Sequence, residues 1–443
     1  MPPIRDIVVL GLILASVPVC FCRPFYGIAL WTFLAFVNPH RMAWGAARQF
    51  PVALLVAVAT VAGFLLFKPR FKNLYSREVM LIVLLWVWFA ITTVVTTNIT
   101  LFQQHAADSW DHLYFVSKIL FMTLVLIGVT GTWDRLRLFV LCIAASFGTL
   151  LLKMLPWMLI TRGANKAYGP EGTMLADNND FGLALNMTFP IFFFLAKSES
   201  NPKLKKLLWF LTALTIPAVF FTWSRGALVG LIAVAVFIFW GSKQKLLLVP
   251  MLLLGAVLGF FFTAGAWQDR MTGMVDHPVD SSVEGRFNAW RFAWNLASDY
   301  PITGGGFGAF EPELFTRYAP NAFDFHASHS IYFGMLGEQG FVGLGLYLIL
   351  LASCFYSLQR LKRRGRLEGD DRLVTYSTML QGSLIAFMVS GAFLGRHYFD
   401  YFFDIVACIA ILKTAVQRES QDRLAIEDSA EEPLAGELME LNA

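Results

Sequence analysis

Arginines gathered at one end of apolar segments can hold an anion, and a histidine beside them can take a proton near neutral pH. This sequence holds such a set: Arg225 in TWSRGALVG, Arg286 and Arg291 in VEGRFNAWRFAWNL, His329 in HASHSIYFG, and Arg396 with His397 in GRHYFDYFFD. A guanidinium presents a planar fork to phosphate oxygens, and Gly226 lets a ligand approach the backbone beside Arg225. The plainer reading of Arg225 is a side chain reaching back to lipid headgroups. For a helix starting near Ser328, Tyr332 and Gly340 share a face with His329, and Glu338 points the other way. A lone histidine there more often bonds a carbonyl at the helix end. Its arginine company makes His329 a candidate base.

Other polar or patterned stretches have simpler readings. Phe287, Trp290 and Trp294 recur at helical spacing beside Arg286 and Arg291, as in a helix anchored at a membrane interface. Gly304, Gly305, Gly306 and Gly308 follow Pro301 and no strand, which predicts a tight turn and not a dinucleotide site. Asp177, Asn178, Asn179 and Asp180 read as helix-start capping, and Asp108 and Asp111 as solvated acids, so no metal is expected. Cys20, Cys22, Cys142, Cys354 and Cys408 lack paired spacing and are read as packing residues. No phosphate-loop motif points to ATP-driven transport.

The elements that must position these residues are set by composition. Of 443 residues, 57% are hydrophobic and 15% charged, and the mean hydropathy is +0.59. This pattern predicts an all-α polytopic integral membrane protein, because lipid offers the backbone no partners. Spans are expected near 7–22, 25–38, 51–67, 79–97, 115–131, 136–153, 181–197, 207–222, 226–240, 246–263, 329–356, 375–394 and 397–414. The total is twelve or thirteen, because the first two are short and split by Arg23-Pro24. The first is read as an uncleaved span and not a signal peptide.

Lysine and arginine set the orientation. Lys68, Arg70, Lys72 and Arg77, then Lys197, Lys203, Lys205 and Lys206, then Lys243 and Lys245, then Arg360 to Arg372, fall on one side, which is read as cytoplasmic. The other side receives the long link 264–328, with eight acids and four arginines, expected to be a periplasmic loop carrying short helices. Residues 1–415 form one membrane domain, and 416–443 an acidic, mobile cytoplasmic tail. The net charge of +4 is small and argues against nucleic acid as a partner. A monomer is expected.

The ordered set Ser224-Arg225-Gly226-Ala227, Gly285-Arg286, Gly304 to Gly308, His329-Ser330-Ile331-Tyr332 and Glu338-Gln339-Gly340 resembles the O-antigen ligase (WaaL) and polymerase superfamily, over residues 165–400. The resemblance implies a multi-pass enzyme of the bacterial inner membrane with its active site facing the periplasm. Such enzymes move a glycan from undecaprenyl diphosphate, and a ligase delivers it to lipid A-core oligosaccharide in lipopolysaccharide biosynthesis. Related polymerases join repeat units, and protein O-oligosaccharyltransferases modify serine or threonine.

Diphosphate leaves readily once its charge is neutralised, so arginines suffice, and neither metal nor cofactor is expected. On the matching positions, Arg225 and Arg286 are expected to bind diphosphate with Arg291 assisting, and His329 to activate or orient the acceptor hydroxyl in an inverting transfer. Tyr332, Ser224, Glu338, Arg396 and His397 support them. A remoter alternative is a transporter of an anionic lipid, which should carry charges at mid-membrane depth in repeated halves. The sequence shows neither.

Overall fold

Segments that meet only lipid must close their backbone hydrogen bonds internally, and every regular element among the described residues is a helix. The computed structural model describes residues 4–43, 45–66, 71–162, 164–241 and 281–440. The expected span 246–263, the first part of the long link, and Lys68, Arg70, Lys243 and Lys245 lie outside them.

The helices are α1 (Ile4–Cys22), α2 (Pro24–Val37), α3 (Val52–Leu66), α4 (Arg77–Thr97), α5 (Ala106–Val129), α6 (Trp133–Thr161), α7 (Asn178–Ser198), α8 (Pro202–Phe221), α9 (Arg225–Gly241), α10 (Ser281–Asp299), α11 (Pro312–Tyr318), α12 (Ile331–Glu368), α13 (Asp371–Gly391) and α14 (Asp400–Glu440). Eight helical segments among the described residues are long and apolar enough to cross a membrane, and α2, α3 and α9 are shorter apolar helices. The chain is a polytopic helical membrane protein. α14 continues as helix through the acidic C-terminal residues to Glu440.

Local sequence sets many of the helix starts. The side chains of Ser76, Asp177, Asn201, Ser330 and Asp370 accept from the first-turn N–H groups of α4, α7, α8, α12 and α13, as small polar residues do at N-caps. α7 is buried along nearly its whole length. It packs against α8, α9 and α13, and α13 in turn against α9 and α12. The first turns of α14 are also enclosed, from Tyr401 to Leu412, whereas α1 exposes most of its surface at the periphery.

α12 is interrupted about a quarter of the way along, at its tenth of 38 residues. Gly340 has φ +67° and ψ −172°, which ends the hydrogen-bond ladder and frees carbonyls that would otherwise be spent. The glycine turn of the long link takes them up. Gly305 N–H donates to Gly337 O at 2.9 Å, Gly306 N–H to Glu338 O at 2.9 Å, and Phe341 N–H to Pro301 O at 2.9 Å. Trp88 Nε1 of α4 donates to Gln339 O at 3.1 Å.

Gly304, Gly306 and Gly308 all have positive φ, so the turn follows a path open mainly to glycine. The expected tight turn is present, and it serves as the cap of a broken helix. His105 holds its far side, with Nε2 3.1 Å from Gly305 O and Nδ1 2.7 Å from Glu311.

A Cβ at Gly340 would run into the Ile302 carbonyl oxygen in a backbone conformation that L residues rarely adopt. Gly340→Ala is therefore expected to cost at least ~1–3 kcal/mol and to lower the thermal unfolding midpoint in detergent. Gly345→Ala, where a Cβ meets nothing within 4 Å, serves as the control and should melt as the wild type does.

Candidate functional site

Two groups of polar residues meet at the end of the bundle where α7, α9 and α12 begin. The outer group surrounds His329. Its backbone is left-handed at φ +41°, just before the N-cap Ser330, so the helix begins at Ile331 and not near Ser328. The expected shared helical face of His329 and Tyr332 therefore does not form. Tyr332 instead donates its hydroxyl to Met388 O of α13 at 3.0 Å.

α10 fixes the approach to His329. Trp290 Nε1 donates to Ser328 O at 2.8 Å, and its ring stacks on Phe333 at 4.9 Å and 8°. Trp290 is thus a strut, whereas Phe287 and Trp294 on the same helix are each 54% exposed and fit the expected anchoring role. Asn288 donates to the carbonyls of Asn321 and Asp324, both at 2.8 Å. His326 pairs with Asp324 at 2.8 Å and packs over Gly285, where a Cβ would strike its ring.

These contacts place Arg286 beside His329. Burial pushes the His329 imidazole below its ordinary pKa, Arg286 and His326 push the same way, and Asp177 opposes them. These surroundings favour the neutral ring more than water would. Arg291 lies exposed on the same helix.

Arg225 opens α9. Ser224, buried, accepts from Ala227 N–H at 3.2 Å and so caps that helix. Trp223 before it has φ +56°, and its buried Nε1 meets no acceptor among the described residues. α7 braces this turn, since Asn178 donates to Thr222 O at 2.7 Å and Asn186 to Ala227 O at 2.6 Å. These amides of α7 are structural, in keeping with the reading of 177–180 as a helix start.

The link from Ala392 to Phe399 joins the two groups. Phe393 and Leu394 pack against Gly226, and Gly395 against the His329 backbone. Arg396 pairs with Asp180 at 2.5 Å. His397 Nε2 lies 3.1 Å from Glu338 Oε2, which also accepts from the Tyr398 hydroxyl at 2.9 Å.

An ionised Glu338 only accepts, so His397 carries its hydrogen on Nε2; its Nδ1 is packed toward Gly334. Gln339 extends the chain, donating to Tyr398 Oη at 2.9 Å and accepting from Thr92 at 2.6 Å. Glu338, His397, Tyr398 and Arg396 line a cavity of about 420 Å³ with Asp111 and His112. Among the described residues no three His, Cys, Asp or Glu side chains cluster as metal ligands.

Sequence reasoning missed Asn288, Gln339, Tyr398, Thr92 and the strut role of Trp290. Gln339 and Tyr398 had a usable signal, a polar side chain or hydroxyl adjoining Glu338 and His397 in apolar surroundings. Thr92 and Asn288 had none, because their partners lie far off in sequence.

Residues 210–348 match the family model described as O-antigen ligase, a stretch that holds Arg225, Arg286, Arg291, His329, Tyr332 and Glu338. Residues 4–183 match a family of unknown function. No curated protein matches the chain.

Because the folded state resists protonating His329, its contribution to stability is full above the ordinary histidine pKa and is lost as pH falls from there toward the depressed value. Arg286→Gln removes the second of the two main causes, so the His329 pKa should rise but stay below the ordinary value, burial being unchanged. NMR titration of histidine-labelled protein, with His329→Gln assigning the signal, measures this. An unmoved titration would remove Arg286 from the vicinity of the ring.

Proposed function

We propose that this chain, a member of the O-antigen ligase family through residues 210–348, transfers a polysaccharide from undecaprenyl diphosphate to lipid A-core oligosaccharide. The end holding His329 faces the periplasm of a bacterial inner membrane, and the lysine- and arginine-rich end faces the cytoplasm. The reading rests above all on Arg286 standing beside a half-buried His329 at the start of α12, inside the matched segment. An arginine next to a neutral imidazole suits a substrate pair in which one partner is anionic and the other must lose a proton.

Arg225 and Arg286 hold the diphosphate, with Arg291 assisting from the exposed face of α10. Arg225 opens its helix, so its guanidinium and the positive end of the helix dipole attract the same anion. The buried Trp223 N–H adds a donor without a partner in the described residues. The acceptor hydroxyl oxygen attacks the anomeric carbon while the bond from that carbon to the phosphate oxygen breaks on the opposite side, and configuration inverts. The hydroxyl proton passes to His329, and undecaprenyl diphosphate departs with the bonding electron pair, its charge held by the arginines. Ser224, Tyr332, Glu338, Arg396 and His397 act through positioning, Glu338 by tying the α12 break to the link that carries Arg396 and His397.

Purified protein given synthetic undecaprenyl-diphosphate-linked glycan and lipid A-core should form the joined product, at a rate unchanged by chelator. His329→Ala should slow transfer ~10²–10⁴-fold, and Arg225→Ala or Arg286→Ala each ~10²–10³-fold. Full activity in either arginine variant sinks the diphosphate assignment. Lengthening of donor chains without transfer identifies a polymerase, and glycan appearing on a serine- or threonine-bearing protein identifies a protein O-oligosaccharyltransferase. No product with any acceptor returns the reading to transport of an anionic lipid.

A further inference from the structure

The end of the bundle opposite His329 holds a second concentration of cations. There, α4, α12 and α14 enclose a cavity of about 1040 Å³ lined by Arg77, Tyr356, Arg360, Arg363, Arg364 and Lys413. Positive charge at one end of membrane helices follows the general orientation rule, so the number of cations alone carries nothing. The arrangement does. Five cations line the cavity against one acid, Glu368, in the lining and one, Glu78, beneath it.

Three of the five have an acid within ion-pair distance, Arg77 reaching Glu78 at 3.9 Å. Lys413 pairs with the fully buried Glu78 at 2.6 Å, and Arg364 with Glu368 at 2.6 Å. Arg77 is fixed from below by Ser353 O at 3.2 Å and Ser357 Oγ at 3.3 Å. Arg360 and Arg363 have no acid within ion-pair distance among the described residues. Arg77 and Arg360 both approach the ring of Tyr356, at 5.4 and 6.0 Å. Holding like charges around one ring costs repulsion that a bound anion offsets.

The surroundings say which anion. Immediately toward the bilayer, α12 exposes Leu348, Ile349 and Tyr356, and the adjacent α4 exposes Met80 and Leu84. The cavity therefore sits at the polar end of an apolar surface, with the cations at headgroup depth. A soluble phosphate would use the charges and leave this surface unused. We infer that the cavity binds the phosphate headgroup of an anionic phospholipid, with its acyl chains against α4 and α12, as basic pockets at helix ends are suited to do.

The test is lipid retention by the purified full chain in neutral detergent, read by native mass spectrometry. Phosphatidylglycerol should be retained about tenfold more than phosphatidylcholine at equal mole ratio, and Arg360→Gln/Arg363→Gln should reduce its retention about tenfold. Arg317→Gln, a surface cation on α11 of the long link, should change nothing. Arg360→Lys/Arg363→Lys keeps the charge but loses the planar fork and should fall between wild type and the glutamine variant. Equal retention of the two lipids, or of phosphatidylglycerol by wild type and glutamine variant, overturns the proposal. Displacement of the lipid by equimolar inorganic phosphate reassigns the cavity to a soluble anion and equally overturns it. Should the glutamine variant fail to fold, the lipid comparison and the lysine variant decide.

Discussion

A helix interrupted within a membrane domain frees backbone groups that lipid cannot satisfy, each at a cost of several kcal/mol, and this constraint organises the molecule around Gly340. The carbonyls of Gly337, Glu338 and Gln339 are met by Gly305, Gly306 and Trp88, and the Phe341 N–H by Pro301. The long link is thereby pinned to the helix that follows it. The same break turns consecutive side chains to separate tasks: Glu338 meets His397 and Tyr398, and Gln339 meets Thr92 and Tyr398.

Charge is distributed to match this frame. At the His329 end the Arg396 guanidinium is held against Asp180 and the His105 ring against Glu311, within a loop architecture fixed by Trp290 and Asn288. A buried arginine–carboxylate pair earns little net stability after desolvation, but removing one partner leaves a stranded charge. Such pairs fix geometry more than they add stability. At the opposite end the buried Glu78–Lys413 pair ties α4 to α14 beneath a layer of arginines, with Ser357 completing the shell around the carboxylate at 2.6 Å.

The pattern of apolar segments made the helical membrane class legible, because lipid admits so few backbone solutions. Twelve of the thirteen expected segments coincide with helices among the described residues, the segment 246–263 lying outside them. The helix start at Asp177 and the turn at Gly304 to Gly308 were equally readable, since small polar caps and glycine clusters act locally. The start of α12 was misplaced by about one turn: Ser328 and Ser330 are both plausible caps, and the Trp290 bond to Ser328 O and the left-handed His329 favour the second. The face that His329 shares with other residues changed with it.

What the sequence determined by itself was class and the ordered set of residues that resembles the ligase family, since each depends on composition or short-range spacing. Tertiary structure alone decided that the glycine turn caps a broken helix, that Trp290 braces the His329 loop, that Tyr332 turns to Met388, and that Glu338 meets His397. Those outcomes depend on which segments approach one another across about 30 to 60 residues of chain, and no local pattern encodes the partner.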